Sequence, residues 1–302
     1  MHYGLDAGGT KIELAVFNSQ FEQVKSLRVA TPAKHYKQFL RTIKEMVLEA
    51  DNELSVRGTV GIGLPGVCDI RNQTYLSSNV PCLTGHRLHD DLTTILDRPV
   101  AIENDCKCFA LSEAVDGSGK DYERVFGAIL GTGVGGGLSI GGQLYTGLNH
   151  IAGEWGHMAL TAPLQKKYNL PVRTCACGLS GCCEHYISGT GLSQLHLHLT
   201  EEAVTAQEIV ARMEEGCAIA VNTFEVFLDL LAAAMANLVM TYDPDAIVLG
   251  GGLSNVNAIY QKLPRILKRH LFRTIVPPVI LPPDYGDASG VRGAARLGMA
   301  LA

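Results

Sequence analysis

Residues 2–17 read HYGLDAGGTKIELAVF, and residues 125–140 read VFGAILGTGVGGGLSI. Each is a short apolar run, a glycine turn and a second run of apolar or alternating residues, which predicts strand, turn, strand. The expected strands are 2–5 and 12–17 around a turn at 6–11, then 125–130 and 138–140 around a turn at 131–137. A glycine turn between two strands excludes the familiar phosphate loops. The Walker loop needs Gly-Lys-Ser/Thr, whereas Gly9 is followed by Thr10 and Lys11. Gly131, Gly133 and Gly136 satisfy G-x-G-x-x-G, but that spacing marks a dinucleotide site only when a helix follows, and LSIGGQLYTG is strand and turn material. A nicotinamide-dependent oxidoreductase is thereby set aside. Such turns still present backbone N–H groups to an anion, with the Thr10 hydroxyl as a further donor.

Working outward, residues 34–54 place Phe39, Leu40, Ile43, Met46, Val47 and Ala50 on one helical stripe. An apolar strand at 59–64 ends in Pro65-Gly66, and a polar loop runs to Asn79-Val80-Pro81. A strand at 100–103 leads into Asn104-Asp105, where a helix to residue 114 begins; by residue type alone this pair is either a helix cap or a piece of chemistry. Gly117-Ser118-Gly119 reads as a linker. Two domains follow, 1–118 and 119–291, with a closing helix at 292–302 that packs back on the first. Residues 208–215 predict a short helix, and 218–242 a long one, apolar nearly all round and therefore buried. A strand at 245–249 ends in Gly250-Gly251-Gly252, with Ser254 or Asn255 as N-cap of another helix.

Residues 153–157 read GEWGH and 175–182 read CACGLSGC. Three thiols and an imidazole beside turn glycines are the ligand set of a closed tetrahedral zinc site, predicted on His157, Cys175, Cys177 and Cys182. Cys182 is preferred to Cys183 because it directly follows the turn glycine. A structural zinc does not need the neighbouring Glu154 and Glu184, so a rigid metal knot could hold those acids for a second purpose. Cys68, Cys82, Cys106, Cys108 and Cys217 read as small buried hydrophobes.

The 302 residues are 47% apolar and 18% charged with a formal net charge of −5, which disfavours nucleic acid and anionic membrane as partners. Nine cysteines fit a reducing compartment, and neither a signal peptide nor a bilayer-spanning run is expected, so the chain reads as cytoplasmic.

Two glycine hairpins and a late glycine cluster resemble the duplicated, two-lobed α/β layout of the actin, hexokinase and sugar-kinase superfamily (ribonuclease H-like), in which two lobes clamp ATP. DAGGTK at 6–11, GLPG at 63–66, SSN at 77–79, END at 103–105, LGTGVGGG at 130–137, GEWGH and CACGLSGC, in that order over the whole chain, resemble the ROK family of repressors, open reading frames and sugar kinases. YGLDAGGTKIELAVF at 3–17, NVP at 79–81 and EHYISG at 184–189 look most like bacterial N-acetyl-D-glucosamine kinases; ENDC at 103–106 and the extra Cys183 depart from that pattern.

The resemblance implies ATP-dependent phosphorylation of N-acetylglucosamine at its 6-hydroxyl, with ATP, Mg²⁺ and structural zinc as cofactors; the sequence leaves the oligomeric state open, a homodimer included. Asp105 matches the catalytic base, and Asn79, Asn104, Asp105, Glu154, His157 and Glu184 match the sugar contacts. His157 would turn one ring nitrogen to zinc and the other to a sugar hydroxyl. Gly4, Leu5, Asp6, Ala7, Gly8, Gly9, Thr10 and Lys11 would form the first nucleotide segment, with Asp6 beside Mg²⁺. Thr132, Gly133, Val134, Gly135, Gly136, Gly137, Leu138, Ser139 and Ile140 would form the second, and Gly251 and Gly252 would lie near adenosine. Glucose and N-acetylmannosamine are alternative acceptors. A non-catalytic sugar-sensing regulator of the family would carry a DNA-binding helical domain ahead of a first strand that here begins at residue 2.

Overall fold

The computed structural model describes residues 1–77 and 79–301; Ser78 of the SSN motif and Ala302 of the expected closing helix lie outside the described residues. In chain order the first half runs β1 (His2–Ala7), β2 (Lys11–Phe17), β3 (Gln23–Ala30), α1 (Tyr36–Leu54) and β4 (Thr59–Leu64). It continues with β5 (Val67–Asp69), β6 (Thr74–Leu76), α2 (Leu88–Leu96), β7 (Val100–Asn104) and α3 (Asp105–Val115). The second half opens with β8 (Arg124–Leu130), β9 (Val134–Ile140) and β10 (Gln143–Tyr145), then α4 (Ala162–Lys167), α5 (Glu184–Ile187) and α6 (Gly189–Thr200). It closes with α7 (Ala206–Glu214), α8 (Ala218–Tyr242), β11 (Ala246–Gly250), α9 (Asn257–Leu267), β12 (Val279–Leu281) and α10 (Ser289–Met299).

The repeat read from the two glycine stretches governs both sheets. One has the order β3-β2-β1-β4-β7 and the other β10-β9-β8-β11-β12. In each, a three-stranded antiparallel meander is extended by two parallel strands on the far side of its first strand. The turns are tight because the ladders run nearly to their ends: Ala7 pairs with Ile12, and Leu130 pairs with Val134.

The second turn is shorter than expected. β9 already starts at Val134, so Gly135, Gly136 and Gly137 belong to a strand. A Cβ on Gly135 would meet the Cys106 sulfur, on Gly136 the Gly127 carbonyl, and on Gly137 the α3 backbone at Lys107. These glycines serve close approach of backbone, to α3 at Gly135 and Gly137 and to β8 at Gly136, rather than a bend. Ser254 and Asn255 do not cap α9, which begins after Val256; they sit in a 3₁₀ turn and bond back to the carbonyls of Gly251 and Gly252. β3 escaped the pattern because it is an edge strand whose residues are mostly exposed, so nothing forces alternation.

Two helices lie where the halves meet. α3 touches β4 and β7 of the first sheet and β8, β9 and β11 of the second. α10 packs on β1, β4 and α3, returning the end of the chain to the first sheet. The approach is close because Gly4 and Gly61 face the carbonyls of Val291 and Ala294, while Gly293 faces that of Cys108. Side chains there would force the backbones apart. Glu113 of α3, fully buried, ties the junction: it accepts bonds from Ser289 Oγ (2.7 Å), Asp284 N (3.0 Å) and Ser118 N (3.2 Å). α8 is long and apolar enough to cross a membrane by length and composition, yet most of it is buried in the second core.

Candidate active site

β7 ends where α3 begins, so Asn104 and Asp105 stand at the mouth of the first sheet. Asn104 is the N-cap: its Oδ1 accepts from Cys106 N (2.9 Å), and its Nδ2 donates to the Gly66 carbonyl (3.2 Å). Gly66, at φ 126°, supplies a turn that other residues resist. Asp105 Oδ1 shares the Cys106 N–H at 2.9 Å. Cap and candidate base are therefore adjacent residues, the cap falling on Asn104. Burial pushes the Asp105 carboxyl above its ordinary range against those hydrogen bonds. At the end of β1, burial and then repulsion from Asp105 push the Asp6 carboxyl up to about 7. Two part-buried acids that feel each other, at the carboxyl ends of the parallel strands β1 and β7 on either side of β4, are a place where a hard cation and phosphate oxygens gain most.

From the second half come the acids of the cysteine stretch. Glu154 is raised first by burial and further by Asp105 and Glu184, while His157 and Lys107 pull it down. Its Oε2 lies 3.7 Å from His157 Nε2. Glu184 begins α5; its Oε2 accepts from Val134 N (3.3 Å), and its Oε1 lies 3.9 Å from His157 Nδ1. Glu154, His157 and Glu184 thus gather together, and Glu154 lies close enough to Asp105 to feel its charge. Asn79 meets the first turn through its backbone, since a Cβ on Gly9 would contact its carbonyl.

The thiols converge as the spacing suggested. One ligand atom each from His157, Cys175, Cys177 and Cys182 falls within 4.8 Å of the others. Cys175 Sγ is 3.6 Å from His157 Nδ1, and Cys177 Sγ is 3.6 Å from Cys182 Sγ. A tetrahedral zinc with ordinary Zn–N and Zn–S bonds has ligand-to-ligand edges of about 3.5–3.8 Å, so this donor set fits zinc. Cys183 points elsewhere: its thiol donates to the Trp155 and Gly156 carbonyls at 3.2 and 3.4 Å. His157 turns Nδ1 to the thiols and Nε2 to Glu154, so a metal there would hold an acid-bearing turn in place.

The expected nucleotide segments divide. Gly8, Gly9, Thr10, Lys11, Thr132 and Gly133 lie in or at the turns, and Gly133 abuts Glu184 Oε2. Gly4, Leu5 and Ala7 lie inside β1, and Gly136, Gly137, Leu138, Ser139 and Ile140 lie inside β9; they carry the turns through the ladders. Next to the second turn opens a cavity of about 770 Å³ lined by Thr132, Gly252, Thr190, Thr205, Gln207 and Val210 among others. Gly251, at φ 76°, bends the chain beside it. The walls from α6 and α7 were not anticipated, although Thr205-Ala206-Gln207-Glu208 spells a capping box, and Thr205 does accept from Glu208 N (3.2 Å).

A sequence model of the ROK family matches residues 2–300. The chain belongs to the ROK family. Relatives of this ROK chain include an N-acetylgalactosamine kinase, AgaK, from Shewanella sp., 48% identical over 100% of this chain and 97% of its own. An N-acetyl-D-glucosamine kinase from Photobacterium profundum is 45% identical over 98% of this chain and 99% of its own. Among solved structures, a ROK hexokinase from Thermus thermophilus superposes with a TM-score of 0.88 at 28% identity, covering 99% and 98% of the two chains. A ROK glucokinase from Streptomyces griseus, in complex with glucose and AMPPNP, gives 0.79 at 27% identity over 99% of each. The α/β fold of this chain is the hexokinase-like fold of ROK sugar kinases.

Proposed function

We propose that this ROK chain is an ATP-dependent kinase that phosphorylates the 6-hydroxyl of N-acetyl-D-glucosamine. The observation that carries the reading is the part-buried Asp105 at a helix N-terminus, within reach of the charge of Glu154 in the Glu154, His157 and Glu184 group, in a chain whose full-length relatives are named amino-sugar kinases. A sugar hydroxyl is a weak nucleophile, and Asp105 takes its proton as the phosphoryl group arrives. Asn104, Glu154, His157 and Glu184, with Asn79, hold the sugar so that the reacting hydroxyl meets Asp105. The turns at 8–11 and 131–133 present N–H groups to phosphates, and the cavity between α6, α7 and residues 251–252 takes the nucleoside. Mg²⁺, when bound beside Asp6, supplies charge neutralisation on the transferring phosphate. Zinc on His157, Cys175, Cys177 and Cys182 is structural in this reading, because a thiolate-rich closed set makes a poor Lewis acid.

The proposed division is residues 1–118 and 119–291, with the closing helix returned to the first lobe; one five-stranded sheet on each side supports it. Cytoplasmic residence and pairing of two copies complete the reading. The nine free cysteines support the first, and analytical ultracentrifugation tests the second.

A second reading is favoured by the relative at 48% identity: N-acetylgalactosamine as acceptor. An ADP-release assay over N-acetylglucosamine, N-acetylgalactosamine, N-acetylmannosamine and glucose decides. The highest kcat/KM is expected for N-acetylglucosamine; a higher value for another acetylated sugar replaces the substrate while the kinase stands. Sugar binding with no ADP release would make the chain a sugar sensor and end the proposal.

A further inference from the structure

Lys107 breaks two rules at once. It is the third residue of α3, in the first turn, where the helix dipole disfavours a cation. Its side chain is only 1% exposed, although burying an ammonium costs more than most ion pairs return. Its partners say what the placement achieves. Nζ donates to Glu103 Oε1 at 2.9 Å and to the His150 carbonyl at 2.7 Å. The same Glu103 oxygen accepts from Asn104 N (2.9 Å), directly before Asp105. One ammonium thus joins the end of β7 in the first half to the loop that leads to Glu154 in the second.

The loop is bent to meet it. His150 sits at φ 54°, the left-handed region that a residue with a Cβ enters at a cost. Its ring is about half exposed, so core packing of the side chain does not impose that conformation. Beyond it, Glu154 N donates to the Ile151 carbonyl at 3.1 Å, so the position of residue 151 passes directly to Glu154.

We infer that Lys107 is a positioning residue for the sugar subsite: with Glu103 it clamps the left-handed His150 carbonyl and thereby fixes Glu154 opposite Asp105. The clamp rests on the kinase reading above, because Glu154 matters only if the junction takes a sugar. The Lys107 stem lies against Gly137 of β9, but its ammonium, which Lys107→Met removes, reaches only Glu103 and the His150 carbonyl and lines no part of the cavity beside the second turn, so the effect of losing the charge falls on one substrate.

The test uses the full chain. Lys107→Met should raise the KM for the amino sugar about tenfold or more, the scale of a misplaced positioning group, and leave the KM for ATP within about twofold. His150→Val should reproduce that split, since a β-branched residue resists the left-handed region, whereas His150→Asn, which tolerates it, should stay near wild type. Melting curves identify variants that fail to fold. If Lys107→Met is one of them, the His150 pair decides alone, its side chain being partly in solvent. An unchanged sugar KM in Lys107→Met, equal losses for sugar and ATP, or identical behaviour of His150→Val and His150→Asn would overturn the clamp while wild-type turnover keeps the kinase reading. A wild type that turns over no sugar overturns both.

Discussion

Replacing Asp105 with Asn separates chemistry from capping, because the cap is Asn104 and the proposed base is its neighbour. The capping bond from Cys106 N to Asn104 Oδ1, at 2.9 Å, is untouched, and an Asn at 105 keeps an oxygen where Asp105 Oδ1 shares the same N–H. What is lost from the fold is a negative charge in the first turn of α3, worth about 0.3–1 kcal/mol. Relief from burying a carboxylate that burial already disfavours offsets part of this, so the melting temperature should move by only a few degrees. Loss of a general base costs roughly 10²–10⁴ in rate, about 2.7–5.4 kcal/mol of barrier. The kinetic effect should therefore exceed the stability effect several-fold. Steady-state ADP release gives kcat, and calorimetric titration gives ATP affinity, expected near wild type. The pH profile adds a check. The base works ionised and its pKa is raised, so wild-type activity should fall as pH drops through a value above the ordinary carboxylate range, and the variant's residual activity should lack that limb. A folded Asp105→Asn with kcat within about tenfold of wild type would refute the assignment.

Two further perturbations bear on the rest of the site. Purified protein should carry about one zinc per chain; Cys177→Ala should lose it and weaken sugar binding about tenfold or more with a smaller effect on ATP, whereas Cys183→Ala should keep the metal, and the reverse pattern by metal analysis would move the ligand set. Val210→Trp should fill the cavity wall on α7 and raise the KM for ATP about tenfold with little change for sugar, and an unchanged ATP KM would place the nucleoside elsewhere.

Local pattern carried a good deal of this. The alternation around Gly8-Gly9 and Gly131-Thr132-Gly133 specified strand-turn-strand, and doing so twice implied the duplication that both sheets display. The even apolarity of residues 218–242 specified a buried helix, which α8 is. The spacing of Cys175, Cys177 and Cys182 brought the thiols together, because a short glycine-bearing loop leaves them few other places to go.

Other features depend on contacts between residues far apart in the chain, and no local pattern encodes those. Gly135, Gly136 and Gly137 read as turn because glycine is permissive; only their pairing with β8 makes them strand, and only the approach of α3 to Gly135 and Gly137 requires glycine there. Gly4 and Gly61 look ordinary until α10, more than two hundred residues later, lies across them. The cavity beside the second turn is walled by α6 and α7, whose sequences show helix but not what they face. Nothing in the local sequence singles out Lys107. It becomes a clamp because the fold brings β7, α3 and the loop at residue 150 to one point and removes the water between them. Hydrogen-bond pattern and hydrophobic period act over a few residues and can be seen in a sequence; burial of a charge against a distant carbonyl is a property of the assembled molecule.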